Sequence, residues 1–168
     1  IVDHLVNLGH KRIIFMAHSH EDTNADQRED GFRSAVQRHD LAKSLSISLR
    51  GFQGTEDGYE LLKAMMNSTR PPTAVIAVND TLACELQACL QKDGFNIPKD
   101  ISIFGFNDDI HSQEAVPAIS TVRVNRTDLG RIGAETILNR INNPDAEIAS
   151  IRLPIELVHR GSEARAKE

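Results

Sequence analysis

The chain has 168 residues, 40% of them hydrophobic, which is enough apolar material to bury one sizeable core. The formal net charge of −5 argues against direct binding of the chain to nucleic acid, since such binding needs clustered lysine and arginine. No apolar run approaches the length of a membrane span, and the first residues lack the features of a secretion signal. Together these properties favour a single soluble domain.

Buried strands and amphipathic helices are predicted to alternate along most of the chain. Residues 1–9 are predicted to be the tail of a helix closed by Gly9, so the chain is expected to start within an element, as a truncated piece. In chain order there follow a strand at 12–17, a helix at 27–38, a strand at 45–50, a helix at 56–68, a strand at 73–78, a helix at 81–93 and a strand at 101–106. Strands separated by such helices form right-handed βαβ units, which predicts an α/β fold with a parallel sheet.

The alternation stops after the fourth strand. An irregular loop is predicted at 107–118, and a short extended segment at 119–124. A helix at 128–142 follows, with a capping box at its start. The last predicted element is a strand at 148–158 that Pro154 interrupts, which is typical of a sheet edge. The charged tail after this strand is expected to be frayed.

Two cysteines, Cys84 and Cys89, fall in the predicted helix at 81–93. Their spacing places them on different faces of the helix, so neither a disulfide nor a shared metal ion is expected. Free thiols are consistent with a reducing cytoplasm.

Polar residues follow the predicted strands, at the edge where a parallel sheet binds its ligands. Asn79 and Asn107 come directly after the third and fourth strands, and each is interpreted either as a helix cap or as a ligand contact. Asp80 is interpreted mainly as a cap. Arg28, one turn into the first long helix, also reaches this edge. Such side chains suit a ligand with several hydroxyl groups or polar ring atoms. The loops after the first two strands add three further candidate contacts: His18, Phe52 and Gln53.

The usual sequence signs of catalysis are missing. The histidine-containing loop at 18–22 has no distant ligand to complete a metal site, so it is interpreted as a solvated turn. No nucleophile elbow or Walker sequence is present, and the glycines at 51–54 lack the spacing for a dinucleotide. Asp108 and Asp109 have no obvious apolar pocket that would favour acid–base chemistry. We therefore expect no enzyme activity, no metal ion and no cofactor.

Short motifs occur in a fixed order along nearly the whole chain. They are Gly9-His10-Lys11-Arg12-Ile13, Arg28-Glu29-Asp30-Gly31-Phe32, Pro72-Thr73-Ala74-Val75, Asn79-Asp80, Gly94 with Pro98-Lys99-Asp100-Ile101-Ser102, Gly105-Phe106-Asn107-Asp108 and Ser120-Thr121-Val122. As a set they resemble the effector-binding region of the lactose/galactose-repressor (LacI/GalR) family of bacterial transcription regulators. The resemblance implies a three-layer lobe of the periplasmic-binding-protein-like type I fold. Residues 1–168 would form one partial effector-binding domain, mainly the C-terminal of two lobes.

The resemblance also implies a function. Family members are cytoplasmic homodimers in which a small effector, commonly a sugar or sugar-like molecule, binds between two lobes. Binding changes how a DNA-binding head meets operator DNA. The chain would then be the effector-sensing and dimerisation region, with Cys84 at or beside the dimer interface. The helix within 125–143 would cross to the missing N-terminal lobe. A periplasmic sugar-binding protein of a transport system shares the fold and is the alternative, and an enzyme on the same scaffold is a third possibility.

Matched position by position, the resemblance implies effector contacts from Arg28, Asn79 and Asn107. Asn107 stands where the family usually has Asp, whose carboxylate accepts hydrogen bonds from two sugar hydroxyls. An amide accepts only through its oxygen and adds a donor, so the preference for ordinary sugars is altered. Gln53 stands where the family often has an aromatic residue, with Phe52 beside it, so a stacking contact is shifted or lost.

Overall fold

Four short parallel strands lie at the centre of the computed structural model. They are β1 (Ile13–Ala17), β2 (Ile47–Arg50), β3 (Ala74–Ala77) and β4 (Ser102–Phe104), in the spatial order β2-β1-β3-β4. Every residue of β1, β3 and β4 is buried, which explains why the sequence shows continuous apolar runs there. The predicted parallel sheet is confirmed, although the predicted strands extend one or two residues beyond the observed ends.

The structure describes residues 1–18, 23–41, 46–52, 54–144 and 150–167, without the side chain of Thr23. Gln53, one of the predicted effector contacts, lies outside the described residues, and so does most of the histidine-containing loop at 18–22.

Helices cover both faces of the sheet. α1 (Val2–Asn7) packs on α2 (Thr23–Arg38), and α3 (Thr55–Met66) packs on α4 (Asp80–Lys92). β2 is added on one side of β1, whereas β3 and β4 are added on the other side. Because the crossovers between parallel strands are right-handed, the α1–α2 pair and the α3–α4 pair lie on opposite faces of the sheet. The three leucines of α4 are fully buried, and this helix therefore packs its apolar stripe on its own sheet.

The last third of the chain forms a smaller antiparallel unit. β5 (Thr121–Val124) pairs with β6 (Ile155–Val158), and the long helix α6 (Arg126–Asn142) connects them through residues 145–149, which lie outside the described residues. The predicted irregular loop at 107–118 is partly wrong, because it contains a short helix, α5 (Ile110–Glu114). Five residues are too few to show a helical apolar period. The predicted final strand is also too long, since residues 150–154 are not part of it.

One face of α6 is apolar and exposed. The helix begins with the predicted cap, because the side-chain oxygen of Asn125 accepts a hydrogen bond from the backbone N–H of Asp128 at 3.0 Å. None of its residues is buried against the other described residues. More than half of the surface of four large side chains is exposed: Leu129, Ile137, Leu138 and Ile141. In the described part of the chain, no helix is both long enough and apolar enough to cross a membrane.

The expected fraying of the C-terminal tail is wrong. Beyond Gly161 the tail lies along the free edge of β4, where Ser162 is fully buried. The backbone N–H of Ile103 donates to the carbonyl of Ser162 at 2.8 Å, and the Ser162 hydroxyl donates back to Ile103 at 2.6 Å. The backbone N–H of Ala166 then donates to Leu8 at 3.0 Å. These hydrogen bonds pair backbone groups at the edge of β4 that would otherwise be exposed. The bonds use backbone atoms and a serine hydroxyl, so the charged side chains of the tail do not prevent them.

Candidate functional site

The guanidinium of Arg28 joins the carboxyl ends of β3 and β4. Arg28 lies on α2, and its Nη1 group donates to the carbonyl of Val78, directly after β3. Its Nη2 group donates to the side-chain oxygen of Asn107 at 3.4 Å. The Cζ atom lies 3.9 Å from the ring centre of Phe106, which is a cation–π arrangement. The predicted pair Arg28 and Asn107 therefore meets at one edge of the sheet.

The backbone at Asn107 is held in an uncommon conformation. Its φ angle is 114° and that of Asp108 is 58°, and Asn and Asp tolerate such positive values better than other side chains. The backbone N–H of Asn107 donates to Val122 on β5 at 2.9 Å, and its carbonyl accepts from Arg126 at 3.3 Å. These contacts orient the amide towards Arg28. The 3.4 Å contact between the two side chains is longer than the ~2.7–3.2 Å of most N–H···O bonds, so it is a weak hydrogen bond.

Of the adjacent residues Asn79 and Asp80, it is Asn79 that caps α4. The side-chain oxygen of Asn79 accepts from the backbone N–H of Leu82 at 2.9 Å, so Asn79 is the cap of α4. The interpretation of Asp80 as a cap is wrong, because Asp80 is already inside the helix and fully buried. Its carboxylate accepts from the backbone N–H of Asp109 at 2.7 Å and from the hydroxyl of Thr121 at 2.6 Å. A ligand contact from Asn79 would use its Nδ2 group or the second lone pair of Oδ1.

His18 and Phe52 contact each other. Their ring centres are 5.1 Å apart at an interplanar angle of 69°, an edge-on arrangement. Phe52 is largely buried, and its ring fills the space in which a Cβ atom on Gly58 would lie. Phe52 therefore acts first as a packing residue between the end of β2 and α3, with His18 covering its edge. Their contact with an effector stays a prediction.

Two cavities flank the contact between Arg28 and Asn107. Arg28 lines one of about 500 Å³, and Asn107 lines another of about 580 Å³. Both volumes fall in the range typical of small-molecule sites. The first is mainly apolar and includes Phe15, Phe32, Ile76, Phe106 and Val122. Most residues around the second are polar or charged, and they include Asp108, Arg123, Arg126, Thr127 and Glu156.

A partly buried ion-pair cluster centred on Asp108 supports this edge of the sheet. The Asp108 side chain is 6% exposed and accepts from Arg160 and, at 2.6 Å, from Arg123. Burial by itself raises the pKa of Asp108, but hydrogen bonds from the two arginines outweigh it and hold the pKa below its usual value. Sequence reasoning missed both arginines, because they lie 15 and 52 residues further along the chain and carry no local motif.

Cys84 lies on the flank of α4, partly buried, and lines a groove with residues of α5. Burial raises the pKa of its thiol. Val116, at the end of the same groove, is 80% exposed. The predicted place of Cys84 at a dimer interface stays a prediction.

Comparison with known proteins gives the family of the chain. Residues 2–163 match the family model of the periplasmic binding protein-like domain. The HTH-type transcriptional repressor PurR of Haemophilus influenzae is 32% identical over 163 residues, covering 95% of this chain and 48% of PurR. This chain spans about half the length of the curated relatives that it matches.

Solved structures of regulators have the same fold. A LacI family transcriptional regulator from Enterococcus faecium with bound ribose is 29% identical, with a TM-score of 0.85 over 99% of this chain and 61% of that one. The Lac repressor dimer bound to operator and the anti-inducer ONPF is 26% identical, with a TM-score of 0.84 over 97% of this chain and 48% of that one. The chain thus belongs to the periplasmic binding protein-like domain family and corresponds to the effector-binding region of LacI/GalR-family regulators.

Proposed function

We propose that this chain is the effector-sensing and dimerisation region of a cytoplasmic bacterial transcription regulator, whose DNA-binding head lies elsewhere in the full-length protein. The family match supports this proposal, since the relatives named above are repressors. The same relatives favour a regulator over a periplasmic sugar-binding protein. The proposal assigns the chain a binding role and no chemical reaction.

The observation that carries the proposal is the contact between Arg28 and Asn107. A guanidinium, an amide and a flat aromatic ring (that of Phe106) converge where β3 and β4 end. Donors and acceptors of this kind bind hydroxyl and carbonyl oxygens, and the ring offers an apolar surface for the carbon skeleton of a sugar or a similar ring. We infer that the effector replaces the 3.4 Å contact and bridges the two side chains.

The second half of the effector site is assigned to another lobe. The exposed apolar face of α6 supports this, because Leu129, Ile137 and Ile141 leave more than half of their surface open to water along one helix. We infer that α6 packs on an N-terminal lobe of the full-length protein. An effector held between two lobes can then change their relative position, which is how the head would be controlled.

Binding of a ligand by the full-length protein tests the proposal. A panel of pentoses, hexoses, sugar acids and nucleobases, with ribose as the first probe, is screened by thermal shift and followed by calorimetry. Arg28→Ala should weaken binding of any hit by about 1–3 kcal/mol, because a buried polar contact is lost. Arg33→Ala is the matched control, since Arg33 lies on the same helix with its side chain 63% exposed.

A hit must also change operator binding in a gel-shift assay with the regulator's own upstream DNA. Equal effector affinity in Arg28→Ala, Arg33→Ala and the unmodified protein would refute the assigned site. Full-length protein that binds a sugar but no DNA fragment, and that carries a secretion signal, would support the transport alternative.

A further inference from the structure

Two histidines and one glutamate from opposite ends of the chain meet beside α1. His4 lies on α1, whereas His159 and Glu163 lie in the segment after β6. The Nε2–H of His4 donates to Oε2 of Glu163 at 2.7 Å, and the Nδ1–H of His159 donates to Oε1 at 2.6 Å. One donor atom from each of the three residues lies within 4.8 Å of the others.

We propose that His4, His159 and Glu163 form a binding site for a divalent transition-metal ion, with Zn²⁺ as the ion that suits it best. Two imidazole nitrogens and one carboxylate oxygen are a known ligand set for Zn²⁺, with water in the fourth position. Mg²⁺ and Ca²⁺ are bound by six or more oxygen atoms, and of these three side chains only Glu163 supplies oxygen.

The distances require only small movements. Zn²⁺ ligand bonds of ~2.0–2.1 Å in a tetrahedron place the ligand atoms about 3.4 Å apart. The two hydrogen bonds to Glu163 therefore lengthen by less than about 1 Å when an ion enters, and side-chain rotation provides this. His159 has room for such a rotation, because 53% of its side chain is exposed. In each neutral ring the proton moves to the other nitrogen through solvent, and the freed lone pair binds the ion.

The surroundings hold the site in place. The ring of Phe104 contacts His4 edge-on, with ring centres 5.8 Å apart, and the side chain of Glu163 is only 9% exposed. The rings of His4 and His159 lie 4.5 Å apart between centres, so both already face the carboxylate. An ion at this point would link α1 to the C-terminal tail after Gly161. The backbone hydrogen bond from Ala166 to Leu8 already joins these two segments. Bound Zn²⁺ would thereby stabilise the docked tail by mass action.

Zinc titration of the purified protein without an affinity tag tests the proposal. Calorimetry should show one Zn²⁺ bound per chain, and thermal unfolding should shift upwards with added ZnCl₂. Mutation of a residue that only hydrogen-bonds to a metal ligand typically lowers metal affinity by about 10–100-fold. Loss of a ligand itself should therefore weaken Zn²⁺ binding by at least about tenfold. His159→Ala and Glu163→Gln should both show this loss.

His111→Ala is the matched control, because His111 is exposed on α5 and lies outside the cluster. It should bind Zn²⁺ as the unmodified protein does. Co²⁺ should give the visible spectrum of a four-coordinate site in the unmodified protein and lose it in His159→Ala. Circular dichroism without metal checks that each variant is folded. Absence of binding, or binding that survives in both His159→Ala and Glu163→Gln, would overturn the assignment.

Discussion

The backbone N–H of Asp109 donates a 2.7 Å hydrogen bond to the fully buried carboxylate of Asp80. The hydroxyl of Thr121 donates to the other oxygen of the same carboxylate at 2.6 Å. Asp80 starts α4, Asp109 follows β4 and Thr121 starts β5, so one side chain links three separate parts of the fold. This link holds the loop that carries Asn107 against the end of β3.

Replacement of Asp80 by alanine should therefore lower the stability of the chain. The change leaves two donors without an acceptor, at about 1–3 kcal/mol each, so we expect a loss of about 2–6 kcal/mol in the free energy of unfolding. Urea denaturation followed by circular dichroism measures it. Asp30→Ala on the exposed face of α2 is the control and should change stability by less than about 0.5 kcal/mol. Equal stability of the two variants would contradict the structural role of Asp80.

Gly105 should not tolerate a side chain. A Cβ atom at this position would lie 2.1 Å from Oδ1 of Asp80 and 3.1 Å from its Cα atom. Gly105→Ala must displace the buried carboxylate from its donors, and we expect a cost of about 3 kcal/mol or more. The contrasting variant is Gly31→Ala in α2, where a Cβ would meet nothing within 4 Å. That change should stabilise the helix by up to about 1 kcal/mol. Thermal unfolding of both variants measures the difference. If Gly105→Ala is as stable as the unmodified protein, the backbone at Gly105 is not packed tightly against Asp80.

A buried histidine makes the stability of the chain depend on pH. The Nε2–H of His10 donates to the carbonyl of Ala164 at 2.9 Å, so its Nδ1 must accept from the hydroxyl of Thr73, also at 2.9 Å. Only the bond accepted by Nδ1 needs the neutral ring. Burial lowers the pKa of His10, and this outweighs the bond to Ala164, which the charged ring could also make and which raises the pKa. In the unfolded chain the pKa returns to about 6.5. Between the two values the unfolded chain binds more protons than the folded one, so the contribution of His10 is complete above about pH 6.5 and is lost as the pH falls below it.

We expect the free energy of unfolding to fall as the pH drops below about 6.5, and His10→Gln should flatten this dependence. Guanidinium denaturation of both proteins at several pH values separates the effect of His10 from that of the other histidines. At pH 7.5 His10→Gln should be less stable than the unmodified protein, because the buried hydrogen bonds to Thr73 and Ala164 are disturbed. An unchanged pH dependence in the variant would show that His10 is not the responsible group.

Self-association should depend on the flank of α4. Cys84 lines a groove that ends at the exposed side chain of Val116, and a small uncharged side chain beside an exposed apolar one suits contact with a second copy. We expect a twofold dimer at tens of micromolar by sedimentation, and Cys84→Glu should shift it towards monomer. Leu61→Glu adds the same charge to an exposed apolar position on α3 and should leave the dimer intact. A dimer that Leu61→Glu breaks and Cys84→Glu spares would place the interface elsewhere.

The candidate site could be predicted only in part. The polar residues after β3 and β4 were visible in the sequence, because a buried parallel strand ends abruptly where its polar neighbours begin. Which of Asn79 and Asp80 caps α4 could not be predicted, since both are good capping residues. The partners of Asp80 decide this, and they lie 29 and 41 residues away along the chain.

The sequence alone determined the alternation of strands and helices, the parallel sheet and the family. These depend on local apolar patterns and on motifs that neighbouring residues carry. Only the tertiary structure decided that the charged tail is docked, with Ser162 buried on β4, and that Glu163 meets His4 from the other end of the chain. Contacts of this kind join residues far apart in sequence through backbone groups and single side chains, which leave no periodic pattern for a reader of the sequence to find.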